Sequence, residues 1–131
     1  MKHRLGEVLF APADIVLDNE NVLQPEVFFI AADRRSVAED DYVQGAPDLV
    51  VEVVSAGTVK CDRGDKLKLY ERYGVGEYWL VDTRTRSVEV YTNADRDFTL
   101  QEVYAEDHDM VRSAMVLSGF EVRHATVFAG L

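Results

Sequence analysis

Glu52 is the residue in this chain that most demands a chemical explanation. It stands inside Leu49-Val50-Val51-Glu52-Val53-Val54, a run otherwise apolar and mostly β-branched. Such a run predicts a central strand covered on both faces. A carboxylate there is costly unless it pairs with a cation or holds a metal. Lys66 is the natural partner. Glu52 lies about 6–7 Å back from the strand's end at the strand rise. A helix beginning near Val59 brings Lys66 back over the sheet after about 10 Å. The two side chains therefore sit at similar heights. A second reading stays open, because Asp62 and Lys66 are spaced i,i+4. Surface pairs of that kind are common and contribute only about 0.2–0.5 kcal/mol.

Glu26, after Pro25, offers a second carboxylate in the preceding strand-like stretch. Shared between Glu26 and Glu52, a divalent cation would have few protein ligands, with water and phosphate completing its shell. That chemistry suits Mg²⁺. Taken alone, Glu26 also reads as a solvent-facing strand residue. Other motifs are missing. His3, His108 and His124 lack metal-ligand spacing. There is no phosphate-binding glycine loop and no nucleophile elbow. Cys61, near the expected helix start, reads as a structural residue.

The elements that must position these side chains follow from pattern. Glu7–Phe10 and Ala13–Leu17 are strand-like, with Pro12 between them. Asp18-Asn19-Glu20-Asn21 is a turn cluster. Val22–Ile30 reads as one strand closing a hairpin, and residues 32–46 as loop. A helix is expected over Val59–Tyr73, with Thr58 as N-cap and Gly74 as stop. Glu77–Asp82, Ser87–Tyr91 and Phe98–Tyr104 read as strands, with a turn at Thr83–Arg86. Ala125–Ala129 forms a short closing segment. The plan is α+β: one sheet carrying one major helix. Tyr78-Trp79 reads as core or dimer interface rather than as a base-stacking platform.

Length and composition bound the rest. The 131 residues suit a single domain spanning 1–131. Apolar residues make up 47% and charged residues 29%, with only 3 prolines and 8 glycines. This excludes a disordered or collagenous chain. One cysteine excludes an intrachain disulfide. No apolar stretch approaches the ~18 residues of a membrane span. The start carries no signal-peptide core, so a cytoplasmic location is expected. Fourteen Lys+Arg against 24 Asp+Glu give a net charge of −10. That balance disfavours broad coating of DNA by phosphate neutralisation. It is compatible with a metal site, where the ion supplies the positive charge. The expected helix runs against the trend. Lys60, Arg63, Lys66, Lys68 and Arg72 face Asp62, Asp65 and Glu71, a local +2, so it is the helix to lay near a phosphate backbone.

Several ordered blocks carry a resemblance. They are Gln24-Pro25-Glu26, Gly45-Ala46-Pro47-Asp48 leading into Leu49–Ser55, Asp62-Arg63 with Lys66, Tyr70, and Gly74–Asp82. Together they resemble the Uma-two family, restriction-endonuclease-like proteins of the PD-(D/E)XK nuclease superfamily. The resemblance implies a mixed β-sheet with a flanking helix and the active site on the sheet. It implies hydrolysis of phosphodiester bonds in nucleic acid, DNA first, with Mg²⁺ or Mn²⁺. Glu26 falls where the family has the aspartate of its Pro-Asp motif, one methylene shorter, and Glu52 is the second acidic ligand. The superfamily's usual lysine position, two residues after Glu52, holds Val54. Lys66 matches members whose lysine has moved to the following helix.

Catalytic residues Glu26, Glu52 and Lys66, with Glu26 and Glu52 as metal ligands, are therefore expected. Asp48 and Asp62 also match family positions. Asp48 lies about 13 Å from Glu52 along the strand and is expected to shape the loop. The family usually begins with a further helical segment, and this chain is expected to start after it. Phe28, Phe29, Tyr78 and Trp79 would then be left uncovered and favour a homodimer. The alternative reading is an inactive nuclease-fold module acting through self-association.

Overall fold

Residues 2–3, 6–10, 14–18, 20–23, 25–31, 42–54, 64–117 and 119–129 are described by a computed structural model. Among them, in chain order, the strands are β1 (Lys2–His3), β2 (Gly6–Phe10), β3 (Asp14–Val16), β4 (Val22–Leu23), β5 (Val27–Ala31), β6 (Tyr42–Gln44), β7 (Leu49–Val54), β8 (Glu77–Asp82), β9 (Ser87–Ala94), β10 (Asp97–Tyr104), β11 (Met110–Arg112) and β12 (Glu121–Arg123). The helices are α1 (Asp65–Arg72) and α2 (His124–Val127).

The β-branched run forms the middle strand of the largest sheet, ordered β1-β2-β5-β7-β8-β9-β10. β7 and β8 are parallel, and the other neighbours in this sheet are antiparallel. A parallel pair needs a crossover connection, and α1 lies in it. Both faces of β7 are covered, as its lack of alternation predicts. Val50 and Val54 pack with Phe28, Ile30, Tyr78, Leu80 and Tyr70 on the α1 side. Leu49 packs with Phe29, Trp79, Val81, Val111 and Phe128 on the other. The chain therefore has the expected α+β architecture, a mixed sheet with little helix.

An eight-residue helix is too short to persist alone in water, so its end is tied down. Gly74 adopts φ +86°, a left-handed conformation that favours glycine. The Phe98 N–H donates to the Glu71 carboxylate at 2.6 Å. Asn93 Nδ2 donates to the carbonyls of Glu71 and Val75 at 3.1 and 3.0 Å. The Tyr73 hydroxyl donates to Asp18 in the β3–β4 turn.

Several expectations are corrected. The stretch Val22–Ile30 is two strands. Pro25, with no N–H to give a ladder, stands at the break. β4 pairs with β3, while β5 pairs with β2 and β7. Residues 42–44, read as loop, pair in parallel with β3. The described helix begins at Asp65 after a non-helical Gly64, φ −104° and ψ −95°. Thr58 and residues 59–63 lie outside the described residues. One sheet was expected and three are present among the described residues, the others being β4-β3-β6 and β11-β12. The closing segment contains helix α2. Phe28, Phe29, Tyr78 and Trp79 are buried at 5% exposure or less, so they are not the uncovered patch expected to drive self-association. No helix among the described residues is long and apolar enough to cross a membrane.

Candidate active site

Glu52 points to the α1 side of the sheet, between Val50 and Val54 and beside Leu80 on β8. It is 3% exposed. Two groups on α1 meet its Oε2 atom. The Tyr70 hydroxyl donates to it at 2.9 Å, and Lys66 Nζ lies 3.4 Å away. Residues 66 and 70 are i,i+4 neighbours on one helix face, so a single face of α1 supplies both a neutral and a charged donor. Tyr70 is wholly buried. The Lys66 side chain remains 26% exposed, while the Glu52 carboxylate it meets is nearly buried. Lys66 is only the second residue of α1, not seven residues in, yet the expected pairing forms.

Glu26 stands at the bend before β5 rather than within a strand, with an exposed side chain. In the β5–β7 ladder Val27 faces Val51 and Phe28 faces Val50. Continued by one residue, that register sets Glu26 across from Glu52. Asp62 and Cys61 lie outside the described residues. Asp48 does loop work: its Oδ2 accepts the Ala31 N–H at 2.7 Å, and its carbonyl accepts the N–H groups of Gly76 and Glu77.

Among the described residues three further carboxylates are buried, and sequence reasoning assigned none of them a role. Glu77 accepts five donors: Trp79 Nε1 at 2.6 Å, Ser113 Oγ, and the N–H groups of Ala114, Met115 and Val116. It pins the 113–116 loop to the face opposite α1. Asp82 pairs with Arg84 at 3.0 Å, and hydrogen bonds from that guanidinium hold its carboxyl below the usual range. Glu89 accepts the Tyr91 hydroxyl at 2.6 Å and lies one strand beyond Leu80 in the Glu52 row. Outside the sheet, the Tyr73 hydrogen bond holds the Asp18 carboxyl far below its ordinary value. His124 Nε2 lies 2.8 Å from the Arg86 carbonyl.

Among the described residues, no three His, Cys, Asp or Glu side chains converge on a point. Glu26 and Glu52 offer only carboxylate oxygen, one deeply buried and one open to solvent. That donor chemistry fits a hard cation such as Mg²⁺, which takes one or two carboxylates and keeps several waters.

Three comparisons bear on the chain. The curated proteins give no significant match. Among solved structures, the crystal structure of "a putative nuclease belonging to DUF820" from Anabaena variabilis ATCC 29413 aligns with a TM-score of 0.75 at 17% identity. The alignment covers 96% of this chain and 69% of that one, and it shows a shared fold. The Uma2 family model, described as "Putative restriction endonuclease", matches residues 1–127. With a match over almost its whole length, the chain belongs to the Uma2 family.

Proposed function

We propose that this protein is a metal-dependent endonuclease that hydrolyses phosphodiester bonds in nucleic acid, DNA first. The observation that supports it best is the 3.4 Å approach of Lys66 to the buried Glu52 carboxylate. A buried strand carboxylate and a partly exposed helix lysine meet there, and the β5–β7 register, continued by one residue, runs Glu26 toward the same place.

Glu52 and Glu26 would hold Mg²⁺ or Mn²⁺, which when bound supplies Lewis acidity toward the phosphodiester and its attacking water. Lys66 holds a positive charge where negative charge builds on the phosphate during attack. Val50, Val54 and Leu80 wall the carboxylate on the sheet side. They keep the local dielectric low, so each of these charges acts more strongly than in water. Glu26, exposed at the bend before β5, would join the site from the solvent side.

The reading is tested by incubating the full chain with labelled DNA and RNA hairpins in Mg²⁺ or Mn²⁺. Cleavage at internal phosphodiesters, abolished by a chelator and by Glu52→Gln, is expected, with DNA the better substrate. Equal cleavage by Glu52→Gln would place the activity elsewhere. Binding of metal without cleavage of either polymer would identify an inactive nuclease-fold module.

A further inference from the structure

We propose that Tyr70 is a positioning residue for Glu52, fixing the carboxylate in the orientation from which it takes a divalent cation. This rests on the metal-dependent reading of the same site and assigns a role to a residue that the expected Glu26, Glu52 and Lys66 set does not include.

Tyr70 has one O–H to give, and a carboxylate can only accept. The hydroxyl is wholly buried and donates a hydrogen bond to Glu52 Oε2 at 2.9 Å. The ring is held too, by Tyr78 at 5.4 Å between centroids and by the surrounding core. The backbone beneath it belongs to the tethered end of α1. Next to Tyr70, Glu71 accepts the Phe98 N–H through its carboxylate and Asn93 Nδ2 through its carbonyl. Tyr73 reaches Asp18.

The two donors on Oε2 therefore differ in kind. Lys66 brings charge on a long, partly exposed stem from the first turn of the helix. Tyr70 brings a neutral, rigid hydrogen bond from the clamped end. Lys66 can swing toward a phosphate without releasing the carboxylate, because Tyr70 keeps Oε2 in place. Partners that orient a ligand in this way typically affect metal affinity by about 10–100-fold when removed. A tyrosine that merely fills the core would give its hydroxyl to Glu52 with no effect on the ion.

The test uses the full chain and Mn²⁺ alone, followed by calorimetry. Tyr70→Phe keeps the ring and deletes the hydroxyl. The expected result is an Mn²⁺ dissociation constant raised about 10–100-fold. In cleavage assays kcat should fall while KM for DNA stays unchanged. A variant that binds Mn²⁺ within about twofold of wild type and keeps kcat would overturn the proposal while leaving the nuclease reading intact. A wild type that takes up no Mn²⁺ would overturn both. A second measurement needs no variant to fold. With tyrosine ¹³Cζ labels in the wild type, the Tyr70 resonance should move along the same saturation curve as Mg²⁺ is added. A Tyr70 resonance that stays still at saturating Mg²⁺ would count decisively against the proposal.

Discussion

Glu52 Oε2 and Lys66 Nζ stand 3.4 Å apart, one in the central strand of the sheet and the other in the first turn of the helix that crosses it. The pair joins stability to chemistry. The carboxylate is nearly inaccessible, and the lysine side chain is partly exposed.

The first consequence concerns folding. Lys66→Met removes a cation from beside a buried carboxylate while leaving Tyr70 in place. Stability should fall by about 1–3 kcal/mol. This exceeds what an exposed helix position would lose on substitution. Replacing both partners, as Glu52→Leu with Lys66→Met, should recover much of the loss, because a well-packed apolar pair avoids the desolvation cost. Urea denaturation of the two singles and the double measures the coupling.

Glu77 should be among the most sensitive positions in the fold. Glu77→Gln replaces an acceptor oxygen with an NH₂ donor that faces N–H and O–H groups. The expected loss is about 3 kcal/mol or more, since several buried donors lose their partner together. Urea denaturation would show it as a lower midpoint with an unchanged slope. A midpoint close to wild type would mean that the 113–116 loop is held by other contacts.

Asp82 gives a pH dependence of known sign. Its folded-state pKa lies below the ordinary 3.8, first because of the hydrogen bonds from Arg84. A carboxyl with a depressed folded pKa contributes stability that is fully present above its unfolded value. That contribution is lost as pH falls through the folded value. The melting temperature of wild type should therefore drop steeply below about pH 4, and that of Asp82→Asn should drop less. Parallel curves for the two proteins would assign the acid sensitivity to other carboxylates, with Asp18 the next to examine.

The legible parts of the fold were those whose physics is local. β7 could be read because its residues other than Glu52 are apolar and mostly β-branched, β8 because Tyr78–Val81 are apolar or aromatic in sequence, and the Thr83–Arg86 turn lies where the sequence predicts it. The Glu52–Lys66 pairing followed from two rises per residue, and it survives a later helix start because the crossover still returns α1 over β7. Long-range features were not legible. Tyr70 fits the apolar face of a helix as well as phenylalanine would, and only the register of α1 over β7 turns its hydroxyl into a partner of Glu52. Glu77 looked like the first residue of a strand, and four of its five donors come from residues 113–116. β11 and β12 have three residues each and, among the described residues, pair with each other alone. β6 was hidden because its partner, β3, lies far back in the chain. The division at Pro25 was readable from the missing N–H, yet the apolar residues on either side masked it.

The most direct measurement is the single-turnover rate of Mn²⁺-dependent DNA cleavage by wild type, Lys66→Met and Lys68→Ala, at a temperature where all three are folded. Lys68 is exposed on the same helix, lining an outer groove with Arg72 and Arg96. Its replacement removes one positive charge without touching Glu52. The account predicts a loss of at least about 100-fold for Lys66→Met, the scale of removing one donor aimed at developing charge, and a change within about threefold for Lys68→Ala. Equal rates for wild type and Lys66→Met, or equal losses in both variants, would contradict a catalytic role for the Glu52–Lys66 pair.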